Sequence, residues 1–143
     1  MQEAHPNPRM ADRKAKWLIY TVLVALIPAM ARMIVWLISQ NPDTDLFNAV
    51  DFIIFGLVLH ISNINELEHF DEREESWKTV QNGASVFLLI VYSILLTSHL
   101  FGEANPGLID TQTMKIGAIL LGIISFLISY SVYNATSKSV GEK

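Results

Sequence analysis

The sequence predicts an all-α membrane protein, a bundle of four transmembrane helices with both termini on the cytoplasmic side. Three observations lead to this fold class. First, 51% of the 143 residues are hydrophobic and only 17% are charged, whereas soluble domains carry roughly 25% charged residues. Second, the charges concentrate at the two ends and in one central segment. Third, the four long stretches between them lack the polar face that a soluble helix needs, so they suit lipid better than water.

Each of the four stretches is long enough to cross the hydrocarbon core as a helix, which takes about 20 mostly apolar residues. The predicted spans are residues 17–38, 46–64, 84–101 and 112–133, within a single domain of residues 1–143. In the first span Pro28 predicts a kink. The same span, with basic residues before it and Ala29-Met30-Ala31 inside it, also resembles a cleavable signal peptide. Because apolar residues continue to Ile38, an uncleaved first helix is the preferred interpretation.

The connections between the spans differ in length and charge. The first and third, residues 39–45 and 102–110, contain Asn-Pro-Asp and Asn-Pro-Gly, which favour turns. The middle connection, residues 65–83, is acidic and holds neither Pro nor Gly before Gly83. Because no helix-breaking residue intervenes, the helix of the second span can continue into this connection. This pattern predicts a short charged helical extension on the cytoplasmic side, followed by a turn at Asn82-Gly83.

Basic residues set the predicted orientation, because cytoplasmic segments carry an excess of Lys and Arg. The first and third connections have neither, and four spans bring all the basic segments to one side. We therefore expect a multi-pass protein of the inner (cell) membrane, with both termini and the middle connection in the cytoplasm. The basic residues are Arg9, Arg13, Lys14 and Lys16 before the first span, Arg73 and Lys78 in the middle connection, and Lys138 and Lys143 at the end.

Two ionisable side chains, Arg32 and Asp51, are predicted to pair inside the membrane. Arg32 lies shortly before the end of the first span, and Asp51 lies shortly after the start of the second. Since the two spans are antiparallel neighbours, both groups reach a similar depth at ~1.5 Å per residue. The pair has two interpretations. It neutralises two costly charges and fixes the helix register, or it forms a gate or a charged constriction in a pore.

Further polar residues follow helical spacing on the second and third spans, and we expect these stripes to face the bundle interior or a pore. On the third span, Ser85 lies on the same stripe as Tyr92 and His99. His60 projects from roughly the opposite face of the second span, as a hydrogen-bonded packing residue or as a proton relay and pH sensor. The candidate pore residues are Asn48, Ser62 and Asn65 on the second span, and Tyr92 and His99 on the third.

The fourth span carries a stripe of small residues. Small side chains at spacings of three and four allow close approach of helices, within one subunit or between subunits. Lining of a narrow pore is the alternative interpretation. The residues are Ala118, Gly122, Ser125 and Ser129.

The acidic middle segment has three interpretations. It is a solvated helix face, a docking site for a basic cytosolic partner, or a means of attracting cations to a pore mouth. The candidate docking residues are Glu66, Glu68, Asp71, Glu72, Glu74 and Glu75.

Metal binding and enzymatic chemistry are not expected from this sequence. Glu66-x-x-His69 has the spacing of half a di-iron carboxylate site, but the sequence lacks the second copy. There is no cysteine, and no phosphate-binding loop, nucleophile elbow or zinc-protease motif occurs. We therefore expect no enzymatic activity, no cofactor or metal, and no direct binding of nucleic acid.

The predicted function is that of a small homo-oligomeric membrane channel or pore-forming effector, with the polar stripes lining its path. The alternative is a non-conducting membrane sensor or anchor that recruits a cytosolic partner through residues 66–75. In length, span number and its charged cytoplasmic segment, the chain is similar to the small four-helix membrane subunits of bacterial anti-phage operons of the Kiwa and Hailong types. That resemblance implies a role in a bacterial defence operon, and it carries over no individual residue.

Overall fold

The computed structural model of the protein describes residues 16, 18–39, 46–68 and 75–141. Every regular element in these residues is helical, which confirms the predicted all-α class. The elements are a π-helical segment Leu18–Leu23, α1 Ile27–Ile38, α2 Ala49–Glu68, α3 Glu75–Ala104 and α4 Thr111–Gly141.

Three of these helices are long and apolar enough to cross a membrane. They comprise Ala49–Glu68, Ser76–Ala104 and Thr111–Ala135. The helices correspond to the second, third and fourth predicted spans; the last two extend beyond both predicted boundaries, whereas the first begins after residue 46 and extends only past residue 64. Their length and composition indicate a membrane protein, as the sequence predicts.

The first predicted span, residues 17–38, is not one continuous α-helix. The π-helical segment ends at Leu23, a turn follows at Leu26, and α1 begins at Ile27 with Pro28 in its first turn. Pro28 has no backbone N–H, and its ring would collide with a carbonyl of the preceding turn in a regular α-helix. The chain therefore breaks just before the proline. With 12 residues, α1 alone is shorter than a full span.

The predicted turn at Asn82-Gly83 is wrong, because α3 runs through both residues without a break. A single exposed glycine costs a helix only about 1 kcal/mol relative to alanine, which neighbouring residues easily offset in a helix of 30 residues. The helical extension after the second span is present as far as Glu68. Residues 69–74 lie outside the described residues.

The turn between α3 and α4 forms at the predicted Asn105-Pro106-Gly107 sequence. Gly107 has φ +91°, a left-handed conformation that favours glycine. Asp110 then accepts hydrogen bonds on Oδ1 from the backbone N–H groups of Gln112 and Thr113, at 3.0 and 3.2 Å. The carboxylate thereby satisfies N–H groups that have no partner within the first turn of α4.

Helix α2 lies at the centre of the bundle. It packs along its length against both α3 and α4, and the π-helical segment and α1 also contact it. Buried residues therefore fall on several sides of α2, whereas α1 has none. Helices α2 and α4 run in the same direction and α3 runs against them. We name the two ends of the bundle the Gly107 end and the Glu68 end, after residues that lie there.

Candidate functional site

Three polar side chains from three different helices form a hydrogen-bonded chain in the bundle interior. His60 Nε2 on α2 lies 2.9 Å from Ser125 Oγ on α4. The same Ser125 Oγ lies 2.7 Å from Tyr92 Oη on α3. All three residues have 0% of their surface exposed. Each helix thus contributes one member, and the hydroxyl of Ser125 joins the other two.

Gly56 makes room for this arrangement. It lies on α2 one turn before His60, and a Cβ atom added there would overlap the ring and hydroxyl of Tyr92. Only a residue without a side chain lets the Tyr92 ring cross the face of α2 and reach Ser125. Gly56 is not among the residues predicted from the sequence. An isolated glycine in an apolar helix often marks close packing, and this is the signal by which the sequence could indicate it.

More buried polar side chains lie further toward the Glu68 end. Asn63 follows His60 by one turn of α2, Ser129 follows Ser125 by one turn of α4, and Ser85 lies two turns before Tyr92 on α3. Each is at most 2% exposed. We name the polar site as the set of His60, Asn63, Ser85, Tyr92, Ser125 and Ser129.

Several polar atoms of the polar site have no hydrogen-bond partner among the residues that the structure describes. They are His60 Nδ1, Asn63 Nδ2, Ser85 Oγ and Ser129 Oγ. A buried polar atom without a partner costs roughly 1–3 kcal/mol. Ordered water is the usual partner of such atoms in folded proteins. The chemistry of this half of the interior therefore suits water or another small polar species.

Toward the Gly107 end, a cluster of buried apolar side chains lies between α2 and α4, although Asp51 and His99 are also buried at this end. Ala49 and Ile53 of α2 pack with Met114 and Ala118 of α4, directly beside Tyr92. We name these four residues the apolar cluster; Ile53 and Ala118 are fully buried. Tyr92 contacts both regions, with its hydroxyl in the polar site and its ring against the apolar cluster. Tyr92 thus lies where the polar site meets the apolar cluster.

Arg32 and Asp51, the predicted ion pair, are in contact across α1 and α2. Arg32 Nε lies 2.6 Å from Asp51 Oδ2. The same oxygen accepts a hydrogen bond from the backbone N–H of Asn48 at 3.2 Å. Asp51 lies in the first turn of α2, where the helix dipole favours a negative charge. The pair joins α1 to the Gly107 end of the bundle.

The remaining candidate pore residues have different surroundings, so they do not form one surface. Asn48 caps α2, since its Oδ1 accepts a hydrogen bond from the Val50 N–H at 3.1 Å. Ser62 Oγ lies 3.1 Å from Thr21 Oγ1 on the π-helical segment. Asn65 is exposed. The interior is lined by the other face of α2, with His60 and Asn63, and the sequence analysis did not single out Asn63.

His99 lies near the Gly107 end of α3 and is buried, with 8% of its surface exposed. Its Nε2 is 3.2 Å from Oε1 of Glu103, an exposed residue one turn later. The two atoms are close enough for an ion pair when the ring is protonated, but their geometry is not that of a hydrogen bond. We therefore treat the contact as a close approach of ring and carboxylate.

The small residues of α4 face α2 within the subunit. Ala118, Ser125 and Ser129 are fully buried. Gly122 is buried as well, and a Cβ added there would lie 3.6 Å from the side chain of Phe52. Ser125 and Ser129 are at the same time members of the polar site.

The acidic segment falls mostly outside the described residues. Glu66 and Glu68 end α2, the first half-buried and the second exposed. Glu75 begins α3, but its side chain is not among those described. Asp71, Glu72, Glu74 and His69 lie outside the described residues altogether, so partner docking stays a prediction. In the described part of the chain, no group of three or more His, Asp or Glu side chains is arranged to hold a metal ion.

No known protein family, curated protein or solved structure matches the chain. The function therefore has to be inferred from the polar site, the apolar cluster and the helices that hold them.

Proposed function

We propose that the protein is a small membrane channel, that it works as an assembly of several copies, and that its path runs through the polar site. The observation that supports this proposal is the polar site itself. It places six polar side chains inside a bundle whose outer helix faces are apolar. Polar and ionisable groups inside membrane helices are costly and usually serve function. In this proposal the path lies within each subunit, not between subunits.

The conformation described here corresponds to a closed channel. The apolar cluster fills the interior between the polar site and the Gly107 end. Water and ions do not stay in a narrow apolar constriction, and channels use such constrictions as gates. Opening would require α2 and α4 to separate around Ile53, Met114 and Ala118, or these side chains to rotate away.

We also propose that the chain crosses the inner membrane four times with both termini in the cytoplasm. The π-helical segment and α1 together would form the first span, at ~1.5 Å per residue long enough for a bilayer core of about 30 Å. The natural chain contains no cysteine. Single cysteines at exposed ends can therefore report their side of the membrane directly, and the mass of the purified protein in nanodiscs gives the number of copies.

Flux through reconstituted vesicles tests the channel proposal. We expect Ile53→Thr to raise the flux of protons, K⁺ or Cl⁻, because a hydroxyl in place of part of the apolar side chain would let water enter the apolar cluster. Ile61→Thr is the matched control, since it makes the same change on the exposed face of α2. The proposal is wrong if neither the natural protein nor Ile53→Thr passes any of the three ions faster than empty vesicles.

A further inference from the structure

We infer that the species carried through the polar site is the proton, relayed by Tyr92, Ser125 and His60. This inference rests on the channel function proposed above and names the permeant ion of that channel. It is carried by the continuous hydrogen-bonded chain across the three helices, and by the unpartnered polar atoms that continue it toward the Glu68 end.

The three side chains can pass a proton because each can both donate and accept one. When the apolar cluster opens, a hydronium ion that enters from the Gly107 side gives a proton to Tyr92 Oη and becomes water, while Tyr92 gives its own proton to Ser125 Oγ. Ser125 gives its hydroxyl proton to His60 Nε2, and His60 releases the proton on Nδ1. Each group gains one proton and loses one, so the charge of the three side chains is the same after the transfer as before it. Reorientation of the two hydroxyl groups and the imidazole ring resets it.

The next acceptor lies on the Glu68 side of His60. Within the described part of the chain, His60 Nδ1 is buried without a hydrogen-bond partner, as are Asn63 Nδ2, Ser129 Oγ and Ser85 Oγ. Asn63 follows His60 by one turn of α2, Ser129 follows Ser125 by one turn of α4, and Ser85 lies two turns before Tyr92 on α3, so all three lie further toward the Glu68 end. Water molecules bound between them would continue the chain, since buried water typically makes about three hydrogen bonds to such groups.

The composition of the polar site favours protons over metal cations. A bare metal cation needs several oxygen ligands at once to replace its water. Among the described residues, the groups in contact with His60 are neutral, Tyr92 on α3 and Ser125 on α4, and no carboxylate belongs to the site. A proton needs only a single file of hydrogen bonds.

Proton uptake by vesicles tests the inference, with a pH dye inside and K⁺ with valinomycin to hold the membrane potential. Both the natural protein and the Ile53→Thr background are measured. We expect Ser125→Ala, Tyr92→Phe and His60→Gln each to slow proton flux at least about tenfold, less than the roughly 100-fold that a positioned proton-transfer group often contributes. Gln at position 60 keeps a group that can bond to Ser125 but cannot relay a proton.

Two matched controls make the same chemical changes on exposed faces, Ser131→Ala on α4 and Tyr130→Phe on α4. We expect both to conduct like the parent protein. Elution volume and helicity show whether each variant is folded, and Tyr92→Phe removes only one oxygen atom.

The outcomes separate this inference from the channel proposal. If the protein passes K⁺ or Cl⁻, and the three variants leave proton flux unchanged, the channel stands and the proton relay is wrong. If the exposed controls slow proton flux as much as the three variants do, the relay is also wrong. If no ion passes in either background, both proposals fail.

Discussion

The two halves of the bundle interior are built from the same three helices but differ in chemistry. Toward the Gly107 end, Ile53, Met114 and Ala118 belong to a buried hydrophobic cluster, although Asp51 and His99 are also buried at this end. Toward the Glu68 end, Asn63, Ser85 and Ser129 are buried with polar atoms that have no hydrogen-bond partner among the described residues. A uniform apolar interior would hold three helices together equally well.

The energetics of the two halves point in opposite directions. Helices in lipid associate through close packing, and hydrogen bonds between them contribute only about 0.6 kcal/mol on average. Unpartnered buried atoms cost roughly 1–3 kcal/mol each, which exceeds that gain. The polar half therefore lowers stability while the apolar half supports it. This contrast is the reason for placing function in the polar half.

The largest loss of stability is expected when the contact between Arg32 of α1 and Asp51 of α2 is broken. Arg32→Ala leaves Asp51 buried without its cation, and breaking a buried pair in this way costs roughly 3–5 kcal/mol. Unfolding in detergent, followed by circular dichroism, measures the loss. The double variant Arg32→Asp/Asp51→Arg should recover part of it. If Arg32→Ala unfolds like the natural protein, the pair does not hold α1 to the bundle.

A smaller effect is expected at the boundary between the halves. Gly56→Ala places a methyl group against the Tyr92 ring, and overpacking of this kind costs typically about 1–3 kcal/mol. Gly83→Ala is the matched control on a helix, with open space around the added atom, and it should stabilise by up to about 1 kcal/mol. Equal effects of the two changes in the same unfolding assay would contradict the packing of Tyr92 on Gly56.

Exchanging the chemistry of the two halves tests the comparison itself. Ser129→Ala removes a buried hydroxyl that has no partner, so we expect stability to stay the same or to rise by up to about 1 kcal/mol. Ala118→Ser puts a hydroxyl into the apolar cluster, and we expect a loss of roughly 1–3 kcal/mol. Chemical unfolding of both variants in one detergent gives the difference. The comparison fails if Ser129→Ala is the more damaging change.

The smallest effect concerns the cap of α4, outside both halves. The side-chain and backbone hydrogen bonds from Thr113 hold the pKa of Asp110 below its ordinary value of 3.8. Because this pKa is lowered in the folded protein, the ionised Asp110 side chain stabilises the fold fully above pH 3.8. Its contribution is lost as the pH falls through the pKa of the folded state. We expect the acid sensitivity of the first turn to disappear in Asp110→Asn. Amide exchange at Thr113, measured as a function of pH, would show it, and an unchanged profile would contradict this role.

The contact between Arg32 and Asp51 could be predicted because it depends only on distance along two antiparallel neighbours. The all-α class followed equally directly from hydrophobic length. The face of α2 that lines the interior could not be predicted, since α2 contacts neighbours on several sides and both of its polar faces have helical spacing. The role of Gly56 depends on the position of Tyr92 across the bundle, which no local pattern in the sequence specifies.

Water access to the two halves is the most direct test of the central claim. The chain has no cysteine, so Ser129→Cys and Ala118→Cys each introduce a single thiol, at two positions that are equally buried on the same helix. We predict that a small water-soluble thiol reagent modifies Ser129→Cys in folded protein, while Ala118→Cys resists it. Equal protection of both thiols, or equal modification of both, would contradict a polar path closed by an apolar cluster.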